Sequence, residues 1–190
     1  MKMLEDRIRE CGKVYPGNVL KVDSFLNHQI DCALISAMGD EFYRLFNGSG
    51  VTKILTIESS GIAIASITAL KFGVPMLFAK KNKSKNLSAN VYSASVKSYT
   101  RGGVNEVFVS KDYLEPGDKV LVIDDFLANG DTMLGLIDII EQAGAVMVGA
   151  GIAVEKCFQG GGELLRARGI RIESLARIAS LSDNTVTFAE

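Results

Sequence analysis

The sequence predicts an α/β domain built on a doubly wound parallel sheet, and three observations carry that prediction. Short apolar runs of strand length, at residues 53–57, 74–79, 120–123 and 145–154, alternate with segments of helical period. Glycines stand just past the helical segments, at Gly48, Gly73 and Gly144, where a helix stops most easily. The most apolar strand, 120–123, runs into two acidic residues, a small polar loop and then a helix. In open parallel sheets that is where ligands sit.

Composition narrows the class. A chain of 190 residues suits one domain, 1–190, with a substantial core. Hydrophobic residues are 47% and charged residues 23%, as in globular proteins. A formal net charge of -1 leaves no basic excess to favour nucleic acid as a partner. Cys11, Cys32 and Cys157 are odd in number and lack metal-ligand spacing, so reduced thiols and a cytoplasmic setting are expected. The start, Met-Lys-Met-Leu-Glu-Asp-Arg, has no apolar signal core. The apolar stretch 62–70 is far short of the about 20 residues that span a bilayer.

Taken in order, residues 4–11 read as a charged helix stopped by Gly12, and 14–25 as irregular with a turn at Pro16-Gly17-Asn18. Ile35, Met38, Phe42 and Leu45 recur at helical spacing within a helix over 32–46. A strand at 53–57, the turn Glu58-Ser59-Ser60-Gly61, a helix over 62–71 and a strand at 74–79 form one right-handed crossover unit. Residues 80–103 break the rhythm with five lysines and five serines, and read as a flexible lid whose arms, 91–99 and 106–109, form an antiparallel hairpin. Glu115-Pro116-Gly117-Asp118 is a turn. After strand 120–123 come a helix over 132–143, a strand at 145–154, a short helix at 163–168 and strands at 170–175 and 185–188.

Chemistry concentrates on 120–132. Asp124 and Asp125 repel each other, and a vicinal diol or a divalent metal gives two adjacent carboxylates a purpose. Ala128, Asn129, Gly130, Asp131 and Thr132 then enter a helix, and backbone N–H groups at such a start form an anion-binding concavity. Thr132 can cap the helix and meet a phosphate oxygen. The segment therefore reads as ribose hydroxyls on the aspartates and a 5-phosphate in the loop. Piece by piece, a simple N-cap and solvated turn aspartates fit equally well; the whole string favours the ligand. Gly-Lys-Thr is absent, so this is not a Walker A loop.

The string resembles the 5-phosphoribosyl 1-diphosphate (PRPP) motif of the type I phosphoribosyltransferases, with Asn129 where Thr is usual and Asp131 where Gly is usual. Ile57-Glu58-Ser59-Ser60-Gly61 is similar to that family's pyrophosphate loop, with Ser60 where adenine-specific members carry Arg. Along the chain, the stretches 20–31, 155–156 and 173–177 resemble the bacterial xanthine-using members. The resemblance implies a small hood formed by the two ends of the chain, a homodimer, and transfer of phosphoribosyl from PRPP to xanthine, with Mg²⁺ carried by PRPP. It implies that Asp124 and Asp125 serve the ribose, Ala128 to Thr132 the 5-phosphate, and Ser59, Ser60, Gly61 and Lys81 the pyrophosphate. Leu20, Asn27 and Lys156 would read the base. An ammonium at Lys156 suits a carbonyl of an oxo purine, Asn27 offers both donor and acceptor, and Leu20 gives an apolar face. The lone His28 lacks a partner acid and reads as a surface residue, as do Lys83 and Lys85; Tyr92 and Tyr99 fit hairpin packing as well as ligand contact. A PRPP-sensing regulator, or an enzyme for guanine, hypoxanthine or adenine, shares this fold and remains open here.

Overall fold

The computed structural model describes residues 1–81, 90–97, 103–182 and 185–189, apart from the side chains of Lys97 and Val104. Six strands form the central sheet: β3 (Lys53–Ile57), β4 (Met76–Ala79), β7 (Lys119–Leu127), β8 (Val146–Lys156), β9 (Ile172–Ser182) and β10 (Thr185–Phe188). Their order across the sheet is β10-β9-β8-β7-β3-β4. All neighbours are parallel except β10, which runs antiparallel to β9.

Strand β7 shows why both faces are covered. Its side chains alternate, so Leu121 and Ile123 join one buried cluster and Val120 and Val122 the other. The first cluster takes in α1 (Lys2–Cys11), α2 (Cys32–Phe46) and α3 (Gly61–Phe72). The second takes in α4 (Asp131–Gln142), α5 (Gly161–Ala167) and the hairpin of β5 (Val91–Lys97) with β6 (Val104–Ser110). Helix α2 starts where Asp31 accepts a bond of 3.1 Å from the Leu34 amide, and it buries Ile35, Met38 and Phe42 as its period requires. Helix α3 stops on Gly73, whose φ of 68° is the left-handed end cap.

Four expectations need correction. Residues 14–25 are not irregular: β1 (Lys13–Tyr15) and β2 (Val19–Lys21) form a tight hairpin, followed by one π-helical turn, Asp23–Asn27. Three-residue strands are too short to show a period. The second strand of the sheet begins at Met76 rather than Val74, because Pro75 has no amide to give to the ladder. Strand β7 does not end before the acidic pair but runs through it to Leu127, held by β8 on one side. The hairpin arms are not free of the core, since Ala94 and Val96 are buried against α4, and Val107 and Val109 are buried in the same cluster. The rest of the expected lid, 82–89 and 98–102, lies outside the described residues, with Lys83, Lys85 and Tyr99. Among the described residues no helix is long and apolar enough to cross a membrane.

Candidate active site

Chain order reverses between β3 and β7, and there the sheet opens. β3 pairs with β7 only as far as Leu55 and Val122, whereas β8 stays paired with β7 to Leu127. The two strands part beyond that point, which leaves a crevice at their carboxyl ends. A cavity of about 220 Å³ lies there. Asp124, the loop 128–132 and Lys81 line it together with Ile57, Val96, Asn105, Val107 and Phe126. The structure thus gathers the predicted phosphate loop, one aspartate and the predicted lid lysine into one space.

Asp124 is 5% exposed. Burial pushes its carboxyl well above the usual carboxylate range, and the neighbouring Asp125 charge adds to this. The Asp125 carboxyl is raised as well, by burial, with the Lys81 ammonium partly opposing. The Asp125 amide donates to Asp124 Oδ1 at 3.0 Å, which fixes that oxygen. Asp125 does not line the cavity itself.

The turn before α3 reaches the same aspartate. A Cβ at Gly61 would overlap Thr56 Oγ1 and stand 3.1 Å from Asp124 Oδ1, so only glycine fits between them. Thr56 is wholly buried and its hydroxyl has no hydrogen-bond partner among the described residues. The Glu58–Ser59 peptide is cis. Glu58 accepts a 2.5 Å bond from the Lys81 amide, tying this turn to the segment after β4. Ser60 stands at the N-cap of α3 but makes no side-chain capping bond, and Ser59 is exposed.

The loop at 128–132 differs from its expected form in one respect. The residue that caps α4 is Gly130, at φ 89°, and no side chain caps the helix. Thr132 therefore lies inside the first turn and does not cap it. Asp131 does not cap: it is the first residue of α4 and among the cavity's lining residues, where the helix macrodipole favours a negative charge.

None of the residues expected to read a base lines this cavity, and only Lys156 touches a residue that does. The Lys156 ammonium sits 5.5 Å over the Phe126 ring and donates to the Asn18 carbonyl at 2.8 Å. Burial lowers its pKa. Leu20 is packed in the first core cluster and Asn27 is exposed at the end of the π turn. The residue missed by sequence reasoning is Phe126, which lines the cavity and carries Lys156. It was visible as the aromatic directly after the acidic pair. Thr56 and Asn105 gave no such signal.

The family model of the phosphoribosyl transferase domain matches residues 22–160. A xanthine phosphoribosyltransferase of Limosilactobacillus reuteri (strain DSM 20016) is 54% identical over 190 residues, which is 100% of both chains. One of Latilactobacillus sakei subsp. sakei is 55% identical, over 100% of this chain and 97% of its own. Among solved structures, the Giardia lamblia APRTase complexed with 9-deazaadenine superposes with a TM-score of 0.79 at 24% identity, covering 93% of this chain and 98% of that one. The adenine phosphoribosyl transferase of Trypanosoma brucei, in complex with AMP, pyrophosphate and ribose-5-phosphate, gives 0.78 at 20%, covering 95% and 81%. At those identities the structural likeness speaks for the fold alone. A family match over most of the chain, full-length relatives and a crevice built from an acidic pair and a glycine-capped helix start agree: the chain belongs to the phosphoribosyltransferase family.

Proposed function

We propose that this protein transfers the 5-phosphoribosyl group from PRPP to xanthine, giving xanthosine 5′-monophosphate and pyrophosphate in purine salvage. The observation that carries the reading is one continuous surface, from the glycine-capped loop at 128–132 through Asp124 to Phe126 and the Lys156 ammonium above it. The names of the full-length relatives support the choice of base.

The loop residues Ala128, Asn129, Gly130, Asp131 and Thr132 would receive the 5-phosphate on backbone amides at the start of α4. Asp124 and Asp125 would accept hydrogen bonds from the ribose hydroxyls. Ser59, Ser60 and Gly61 would hold the pyrophosphate, with Lys81 adding positive charge. Lys156 would donate to a carbonyl of the base and favour an oxo purine over an amino purine, with Asn27 and Leu20 completing the base side. In the reaction the bond from C1′ to the pyrophosphate oxygen breaks and a bond from C1′ to a purine nitrogen forms. Pyrophosphate takes the electron pair, and the purine loses its proton to solvent. The protein positions and stabilises charge and supplies no nucleophile.

Magnesium suits this donor set. The Asp124 and Asp125 carboxyls are both raised by burial and present hard oxygen donors beside the cavity. The described residues hold no cluster of three ligating side chains, so the ion would be held mainly by PRPP oxygens and water, with these two carboxylates close by. Its chemistry there is to neutralise the pyrophosphate. The reading extends to one domain over 1–190, a homodimer and a cytoplasmic location, with no nucleic acid or membrane partner.

Turnover of xanthine, guanine, hypoxanthine and adenine, each with PRPP and Mg²⁺, tests the proposal. Xanthine should be preferred. Preference for adenine would overturn the role of Lys156, and no product from any base would favour a PRPP-sensing regulator.

A further inference from the structure

Behind the phosphate loop lies a buried charge cluster that no part of the reaction uses. Glu155, near the end of β8, is 1% exposed. Arg166 of α5 meets its carboxylate as a fork, Nη1 to Oε1 at 2.7 Å and Nη2 to Oε2 at 2.8 Å. Ser174 donates to Oε2 at 2.5 Å, and Arg177 Nε lies 3.8 Å from the same oxygen. A Cβ on Gly162 would overlap Glu155 Oε1 and fall 2.6 Å from Arg166 Nη1, so the ion pair closes directly over that glycine. The neighbouring glycine touches the loop. The Gly161 amide donates to the Ala128 carbonyl at 3.0 Å, and a Cβ there would overlap that oxygen and lie 2.6 Å from the Gly130 nitrogen. Gly130 in turn faces the Gly161 backbone.

We propose that the Glu155–Arg166 ion pair is a positioning element for PRPP: it clamps Gly161–Gly162 of α5 beneath Ala128–Gly130 and so sets the shape of the phosphate loop. The inference rests on the phosphate role given to that loop above. A buried carboxylate needs full pairing, and here the groups that pair it come from β9 and from α5, the helix whose first residue already touches the loop. A bidentate arginine supplies direction as well as charge, which a lysine in its place does not. Backbone amides bind an anion well only when their directions are preset, and a shift of about 1 Å in a positioning shell costs up to about a hundredfold.

The experiment compares the wild type with Arg166→Lys and with the paired variant Glu155→Gln/Arg166→Met. Calorimetry measures binding of ribose 5-phosphate, with pyrophosphate as the control for the other loop, and steady-state kinetics give KM for PRPP and for xanthine. In the paired variant the Kd for ribose 5-phosphate and the KM for PRPP should rise about tenfold. Arg166→Lys should give a smaller rise, and pyrophosphate binding and the KM for xanthine should hold. A merely structural pair would lower the melting temperature or the active fraction and leave both KM values unchanged; that result overturns the inference. If the paired variant does not fold, Arg166→Lys decides by the same ratio of KM values. Failure of the wild type to bind ribose 5-phosphate would instead refute the phosphate role of the loop.

Discussion

Asp124 and Glu155 are the two buried carboxylates among the described residues, and the protein treats them in opposite ways. Glu155 is satisfied on both oxygens. Burial alone would raise its pKa, but Arg166, Ser174 and Arg177 outweigh that, so the carboxyl is held below its usual range. Among the described residues Asp124 has no such partners; burial and Asp125 drive its carboxyl up. One carboxylate is spent within the fold, and the other is kept short of partners where a substrate can supply them. Their pH dependences have opposite signs. Glu155, with a lowered pKa, contributes stability that is present above about pH 4.3, its unfolded value, and is lost as pH falls through the folded one. Asp124, with a raised pKa, contributes stability present below about pH 3.9 that is lost as pH rises through its folded value.

The sharpest way to break this contrast is Arg166→Met, which strands Glu155 without its fork. Unfolding stability at neutral pH should drop by about 3–5 kcal/mol in denaturant titrations. Removing the charge with its partner, in Glu155→Gln/Arg166→Met, should recover most of that loss. The reverse holds at the crevice. Asp124→Asn with Asp125→Asn should cut turnover about a hundredfold or more, by product assay, without lowering the melting temperature. A turnover equal to wild type would remove both aspartates from the site. For Asp124→Asn alone, the gain in melting temperature over wild type should widen as pH rises above about 4 in scanning calorimetry, because the unfolded carboxyl ionises there while the buried one holds its proton. The smallest expected effect is at Thr56, whose hydroxyl is buried without a partner among the described residues. Thr56→Val should be neutral or stabilising by about 1 kcal/mol; a loss of PRPP affinity would show that the hydroxyl supports Asp124.

The two carboxylates also mark how far the sequence could be read. Asp124 was legible because the chemistry is local: an acidic pair, small residues and a helix start are contiguous, and the loop spacing survives folding. Helix α2 was legible for the same reason, since Ile35, Met38 and Phe42 carry its period. Glu155 was not, because its partners stand 11 and 19 residues away and Arg166 looks like any solvated helix charge. Gly161 and Gly162 fall outside the helix expected at 163–168, while in space they begin α5 and Gly161 packs against the loop at 128–130. The true end of β7 was hidden too. Aspartates are poor strand formers, and only pairing with β8, a tertiary contact, extends the strand to Leu127.

Helix α1 has a consequence for how the chain is made. It buries Leu4 and Ile8 against the core and contacts β9 and β10, and Arg9 lies 4.6 Å from the ring centre of Phe188. Synthesis runs from the amino end, so α1 leaves the ribosome long before β9 and β10, the strands on which it docks. Until β9 is out, Leu4 and Ile8 lack much of the surface that covers them. The sheet's central neighbours are likewise far apart in the chain, since β3 ends at Ile57 and β7 begins only at Lys119. The packing of α1 and of the sheet therefore waits until Ile172 and the residues after it have been made.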